Sequence, residues 1–538
     1  MSFYKKYKYY YPIFFSLVLV AGILIGNNIR SPFISASYYY SSKPGQFSKL
    51  TEIINYIQQE YVDTINAQEL VDESITQILN NLDPHSSYIP AEDLSALNEP
   101  LQGNFDGIGI EFHIQNDTVM VVSPISGGPS EQVGILAGDK IVLVDGKNIA
   151  GIGIVNTDVM KLLRGPSNTK VKVGIFRRGS KKILEFTITR GKIPIYSVDV
   201  KYLTADSIGY IKISRFAANT FDEYKSAFNE LSSMGMKALV LDLRGNPGGY
   251  LEAATQLADE FLNNGKTIVY TQGKSRPKSI YKATSKGDYE SNPLYIMIDE
   301  GSASASEIVA GAVQDWDRGT IVGRRSFGKG LVQEQAEFPD GSALRLTVSR
   351  YYTPTGRSIQ KPYDQGAEEY YNEINKRIEH KELNNKDSIV FTDSLKFKTP
   401  GGKTVYGGGG IMPDVYIPLD TIGITEYYRQ IVYQGLVTAF CYDYIDQNRN
   451  KLKKYKSFED FNAKFLNENS IHTQFITYVS KNGVSFNAID WSSSSYVLTT
   501  QIKAYIARNL YKNEGFYQVL QEIDNTLIET YKLVRKSY

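Results

Sequence analysis

The spacing of apolar positions changes along this chain, and the changes divide it. Between 47 and 81, Leu50, Ile53, Ile54, Ile57 and Val62 form one helical stripe and the run from Leu70 to Leu79 forms a second. Both stretches are predicted as helices with a packing face. LDPHSSYIP, 82–90, is rich in turn formers and reads as a connector. From Gly107 to Arg190 the period shortens to that of strands. GIGIEF, TVMVVSP, DKIVLVDGKNI, VKVGIF and ILEFTITR are short runs between turn signals, with VMKLLR, 159–164, as a short helix. From about 193 strands alternate with helices. SIGYIKISRF, 207–216, leads to the amphipathic FDEYKSAFNELSSMG, 221–235, and then to the nearly continuous apolar KALVLDLRG, 237–245. That run breaks at NPGG, 246–249, before a helix opens near Leu251. KTIVYTQG, 266–273, and PLYIMIDE, 293–300, are further strands, and the second meets GSAS and then the helix EIVAGAVQDW, 307–316. GTIVGRRSFGKG, VQEQAEF and ALRLTVSRYYTP complete a core with glycines at its strand ends. The alternation indicates an α/β domain, where reacting groups gather at the loops leaving the strands. A polar stretch at 362–405 reads as a surface insertion, GGGGIMPDVYIP at 407–418 returns to strand, and 421–538 is mainly helical with aromatic stripes.

Composition narrows the chemistry. A chain of 538 residues is too long for one ordinary core, so several domains are expected. Net charge is +1, which offers no global electrostatic case for nucleic acid. The one cysteine, Cys441, excludes an intramolecular disulfide. The four histidines, His85, His113, His380 and His472, lie far apart, with no zinc-binding spacing. No metal and no cofactor is expected, and a hydrolase built from this inventory would use a base other than histidine. His85 and Ser86 are adjacent after a proline and do not read as a catalytic dyad.

The N-terminus carries KKYK at 5–8 and then YPIFFSLVLVAGILIG, Tyr11 to Gly26, which has no charge. At about 16 residues the run is slightly short for a bilayer, and Tyr9 and Tyr10 extend it. The expectation is a membrane anchor at about 9–28, with a cleaved signal peptide at ISASYY, 34–39, as the alternative. The leading lysines place the rest of the chain on the extracytoplasmic, periplasmic side of an inner membrane, anchored there or exported.

The module from 107 to 190 resembles a PDZ domain. GIGI, 107–110, stands where that family holds a peptide C-terminus, and SPISGGPSEQVGILAGDKIVLVDGKNI matches its core. The resemblance implies that Gly107, Ile108, Gly109 and Ile110 receive a carboxylate and let a peptide add to the sheet edge. A PDZ-shaped brace without ligand is the other reading.

Two glycine-rich stretches carry the chemistry. GRRSFGKG, 323–330, fits a phosphate-binding loop except at Gly330, where a hydroxyl is needed for Mg²⁺. The next segment, GLVQEQAEF, reads as strand or turn and not as the helix such a loop requires. Lys329 is therefore either an ordinary turn lysine or a group with different chemistry. GSASASE, 301–307, lies after a buried strand and before a helix. A nucleophile can be held exposed there, with the next N–H aimed at an oxyanion. Ser302, Ser304 and Ser306 could equally be caps or close-packing residues. A serine needs a base, and a partly desolvated lysine can serve. Gln333 could orient the amine of Lys329 without adding the negative charge that would keep it protonated.

Together the motifs resemble the C-terminal processing peptidases, the tail-specific protease family of Ser–Lys endopeptidases. They are LDPHSSYI at 82–89, the PDZ core, VLDLRGNPGG at 240–249, DEGSASASEIVAGAVQD at 299–315, VGRRSFGKGLVQ at 322–333 and YYTPTGRSIQ at 351–360. The match covers roughly 50–365 and resumes at 407–418. It implies Ser304 as nucleophile, Lys329 as base, Gln333 as the residue orienting it, and an oxyanion hole from the N–H groups of Ala305 and Gly248. The implied substrates are proteins or peptides with accessible C-termini, and homo-oligomers are compatible with it. The pair Arg324–Arg325, the insertion and the long helical C-terminus depart from the common pattern. A noncatalytic scaffold would usually have lost Ser304 or Lys329, and neither is lost.

The predicted fold is α/β, a multidomain Ser–Lys peptidase core of mixed β-sheet with helices, an inserted PDZ-like domain and helical terminal regions. The expected organisation is an anchor or signal segment at 1–30, a helical region at 45–104, the PDZ-like domain at 105–190 and the catalytic domain at 191–365. A polar insertion at 366–405, a return to the core at 406–420 and a mainly helical region at 421–538 complete it.

Overall fold

The computed structural model describes residues 16, 18, 48–390, 393–468 and 470–537. The chain falls into a unit that ends at Ile75 and one that begins at Thr76. The 47–81 stretch forms two helices, one for each of its apolar stripes. Ser48–Glu60 ends, and a second helix, Ala67–Asn80, starts anew after Asn66, whose Oδ1 accepts the N–H groups of Gln68 (3.1 Å) and Glu69 (3.4 Å). An asparagine side chain that caps in this way satisfies free donors of a new first turn.

The second unit is a mixed α/β structure with an inserted PDZ-like module, the fold class expected from the sequence. Its central sheet has six strands in the order Val198–Leu203, Ile208–Ile213, Ala238–Asp242, Leu294–Ile298, Thr320–Gly323, Val415–Tyr416. The first pair is antiparallel and the rest are parallel. Continuous apolar strands such as ALVLD and LYIMI require cover on both faces. One face packs Leu239, Leu241, Ile296 and Ile298 against the helices Thr220–Ser233, Leu251–Asp259 and Ala305–Asp315. The other packs Val240, Tyr295 and Met297 against Leu527, Tyr531 and Val534 of the last helix, Asn525–Arg535. A second sheet is built on the long strand Ala343–Tyr352, which pairs with Ser87–Ile89, Leu331–Glu337 and Thr267–Gln272.

The PDZ-like module has its own core and a six-stranded sheet, in which Ile110–Gln115 is an edge strand paired, among the described residues, with Thr118–Pro124 alone. Its chain enters and leaves through Asn104–Gly107 and Gly191–Pro194, which pair with each other. The helices from Glu426 to Leu520 enclose another separate core. They also meet the PDZ-like edge strand: Arg508 Nη1 lies 3.1 Å from Glu111, Gln115 donates to Asp443 at 3.2 Å, and His113 stacks on Tyr442.

The expected membrane anchor, the membrane as a partner through it, and the location anchored in an inner membrane are corrected. Among the described residues no helix is long and apolar enough to cross a membrane. A span needs about 20 consecutive apolar residues. The long helix Ala488–Leu520 contains Asp490, Lys503, Arg508, Lys512 and Glu514. The run at about 9–28 lies outside the described residues except for Ser16 and Val18.

Candidate active site

The site forms where two parallel strands of the central sheet end. Leu294–Ile298 runs into the turn that carries the three serines, and Thr320–Gly323 runs into the loop that carries Lys329. Burial separates the serines that the motif alone leaves equivalent. Ser302 and Ser306 are fully buried, and their hydroxyls donate to Leu243 O (2.8 Å) and Asn246 O (3.0 Å). They fasten the turn to the 243–246 loop. Ser304 is partly exposed and stands at the N-cap of Ala305–Asp315 with φ +54° and ψ −110°. A non-glycine residue in that region costs of order 1–3 kcal/mol and is kept only when its surroundings over-determine it. They do so here. Glu307 Oε2 accepts the Ser304 N–H at 2.8 Å, and Ser304 O accepts the Ile308 N–H (3.0 Å) and the Tyr351 hydroxyl (3.1 Å).

Lys329 lies just before the strand Leu331–Glu337, so a sheet strand comes after it instead of the helix a phosphate loop needs. Its amine donates to Gln333 Oε1 at 3.0 Å, across an irregularity in pairing between Val332 and Gln333. Burial holds the ammonium below its usual pKa. Arg345 acts in the same direction, while Glu307 and Asp83 oppose it. The orienting group is a neutral amide, so the one hydrogen bond holds the amine without a countercharge. Among the described residues no hydrogen bond joins this amine to the Ser304 hydroxyl.

Gly248 abuts the serine. A Cβ built on it would lie 2.8 Å from Ser304 Cβ and 2.9 Å from Ala305 N, and its φ is +100°, so the position requires glycine. The expected oxyanion pair is thus adjacent, but its two N–H groups differ. Ala305 N–H opens the helix, where the first donors have no intrahelical partner. Gly248 N–H already donates to Asn246 Oδ1 at 2.9 Å. In the PDZ-like module, Ile108 O accepts both the N–H (3.0 Å) and the hydroxyl (2.6 Å) of Ser130, and Gly109 has φ +74°. Gly107 and Ile110 flank that turn as the end of one strand and the start of the open edge strand.

Two features were not singled out from the sequence. Glu307 is fully buried and accepts four hydrogen bonds. Its Oε1 takes the Ser326 hydroxyl (2.5 Å) and Gly328 N–H (2.7 Å), and its Oε2 takes Ser304 N–H and Lys329 N–H (2.9 Å). Burial pushes its carboxyl up to about 7, and the four donors pull the other way. The second feature is a link to the C-terminal region. Arg244, next to the glycine loop, forms two-point contacts with both Asp242 and Asp524. The arginine pair, in the sequence only a departure from the common pattern, has defined partners. Arg324 holds Glu300 (2.8 Å), while Arg325 reaches Glu382 (2.6 Å) and Glu373 (3.2 Å) in the stretch read as a surface insertion, and Gly409 O (2.9 Å) just beyond it. His85 and Ser86 are separate structural groups. His85 Nε2 lies 2.9 Å from the Tyr370 hydroxyl, and Ser86 donates to Asp83 at 2.6 Å. Burial and then Lys329 push His85 down to about 4.

Residues 207–368 match peptidase family S41, 107–188 match the PDZ domain, and 427–512 match a family of unknown function. The carboxy-terminal-processing protease of Bartonella bacilliformis is 38% identical over 350 residues, covering 64% of this chain and 77% of that protein. The carboxy-terminal processing proteases CtpA and CtpB of Bacillus subtilis are similar too. CtpA is 34% identical over 322 residues (60% of this chain, 68% of CtpA) and CtpB 33% over 324 residues (60% and 67%).

Proposed function

The chain belongs to the C-terminal processing peptidases of peptidase family S41, with a PDZ domain, and from that premise we propose a Ser304–Lys329 endopeptidase that cuts proteins near or from their C-terminal tails. The observation that carries this reading is the setting of Lys329. A buried amine with a depressed pKa, held by an amide and not a carboxylate, can be neutral and accept a proton.

Neutral Lys329 takes the proton of the Ser304 hydroxyl as the oxygen attacks the scissile carbonyl. The Ala305 N–H receives the negative charge that develops on the carbonyl oxygen. A second donor comes from the 245–249 loop, once Gly248 N–H turns from Asn246 toward it. The C–N bond breaks, protonated Lys329 gives its proton to the leaving amine, and the acyl group stays on Ser304. Water, deprotonated by Lys329, then releases the acid and restores the serine. One group serving as base and acid needs a pKa near working pH. The hydroxyl-to-amine hydrogen bond, absent here, would form as substrate binds, since catalytic contacts of this kind align only in the complex. Among the described residues no strand pairs on the outer side of Ile110–Gln115, and a substrate tail would add there as a strand with its carboxylate at 107–110.

The test is cleavage of an unfolded protein with a free apolar tail by the wild type, Lys329→Ala and Ser304→Ala. Loss of cleavage in both, with tail binding retained, is the expected result. Unchanged hydrolysis by Lys329→Ala would sink the assignment.

A further inference from the structure

The loop from Arg324 to Gly330 has no regular secondary structure, yet its peptide groups are satisfied from two opposite sources. Five of its N–H groups go inward. Arg324 donates to Ile298 O, Ser326 to Ile411 O, Phe327 to Ser302 O, and Gly328 and Lys329 to Glu307. Three successive carbonyls go to a single side chain on the helix Ala367–Glu379, within the stretch whose polarity suggests a solvated surface. Arg377 Nη1 donates to Arg325 O (3.2 Å) and Ser326 O (2.9 Å), and its Nη2 to Phe327 O (3.2 Å). The Arg377 side chain is 2% exposed, and Glu373 accepts its Nε–H at 2.7 Å. A fan of five donors on a planar fork can hold three successive carbonyls where a point charge cannot.

Two aromatic contacts extend the clamp. Tyr370, on the same helix, packs against Phe327 with ring centroids 5.8 Å apart. Lys361 Nζ sits 4.1 Å from the centre of the Phe327 ring and 4.2 Å from that of Tyr370, and reaches Glu373 at 3.2 Å. Lys361 N–H also donates to Gly328 O at 2.9 Å. Every carbonyl from Arg325 to Gly328 is thus bonded from the segment that begins at Lys361.

We propose that Arg377 is a positioning residue for Lys329: the helix 367–379 clamps the loop so that the amine stays in its water-poor place beside the serine turn. The inference rests on the Ser–Lys reading and extends it to a segment that the catalytic motifs do not include. The groups that face the Lys329 amine are Arg345 from the long strand, Glu307 from the serine helix, and Asp83 and His85 from the connector. None of them lies on the clamp. Arg377 therefore acts through the loop's position and the exclusion of water. A displacement of about 1 Å at a reacting group costs on the order of 10²-fold in rate.

The experiment compares wild type, Arg377→Ala, Arg377→Lys and Lys329→Ala in the full chain. It measures kcat, KM and the pH dependence of kcat/KM on one tail-bearing peptide, with thermal melting in parallel. In Arg377→Ala, kcat falls on the order of 10²-fold, KM changes little, and the acid limb of the profile moves to higher pH, because a hydrated Lys329 is a stronger base. Arg377→Lys keeps the charge without the fork. It shows the same shift of the limb with a smaller loss of kcat, and it decides the matter if Arg377→Ala does not fold. Variants that melt early but keep the wild-type kcat and acid limb overturn the positioning role and leave the Ser–Lys reading intact. An active Lys329→Ala overturns both.

Discussion

Glu307→Gln removes the strut that joins the two halves of the site. The carboxylate has two oxygens, and each accepts two donors from different segments: Ser326 and Gly328 on one, Ser304 and Lys329 on the other. Every neighbour is a donor, because Ser326 Oγ itself accepts the Ile411 N–H at 2.6 Å and so commits its proton to Glu307. An amide keeps one oxygen and turns an NH₂ toward the other pair. Where the carboxyl is ionised, above about pH 7, two hydrogen bonds to a charged acceptor are then lost, at about 1.5–3 kcal/mol each. A loss of about 3 kcal/mol, expressed at the transition state, lowers kcat/KM on the order of 10²-fold. The pH profile separates position from charge. Negative Glu307 favours protonated Lys329, so its removal moves the acid limb of kcat/KM to lower pH, the opposite direction to Arg377→Ala. The assay is steady-state cleavage of a tail-bearing peptide between about pH 5 and 10, with intact fold checked by circular dichroism. Activity within about 3-fold of wild type with an unmoved limb would rule out the strut, since those bonds would then carry neither geometry nor charge.

Other consequences arise from the same network. Asp524→Ala strips Arg244 of its outer carboxylate and leaves a largely buried guanidinium half paired. The loss is about 3 kcal/mol, read as earlier melting and faster proteolysis within 525–535. The Arg244 and Lys212 charges hold Asp242 well below the usual carboxylate range against its burial. The stability this gives is fully present above the unfolded pKa of about 4 and is lost as pH falls through the folded value, so acid titration of melting should show no loss from this group above about pH 4. Tyr442→Ala removes the ring on which His113 stacks, and hydrogen exchange should rise in Ile110–Gln115 while the central sheet is unchanged.

Legibility tracks the range of the interactions. Strands such as ALVLD and LYIMI are readable because cover on both faces writes a continuous apolar run into a local window. The glycine turns are readable for a similar reason, since Gly248 and Gly249 meet the serine turn and Phe216 in space but announce themselves locally. The serines are not separable in sequence, because what distinguishes Ser304 is that Ser302 and Ser306 find carbonyls in another loop. Glu307 carries a usable signal, a glutamate three residues after a candidate N-cap serine. Arg377 carries a misleading one. Glu373 and Arg377 are spaced as a surface ion pair, and their burial depends on carbonyls of a loop about 50 residues away. Arg244 and Asp524 lie 280 positions apart, and no local pattern couples them.

The Ser304–Lys329 pair is tested most sharply by active-site labelling with a serine-directed fluorophosphonate, mapped by peptide mass spectrometry and repeated across pH. One adduct is expected, on Ser304, forming with a rate that rises through the Lys329 ionisation and collapses in Lys329→Ala. An adduct on another residue, or undiminished peptide hydrolysis by Ser304→Ala, would contradict the pairing.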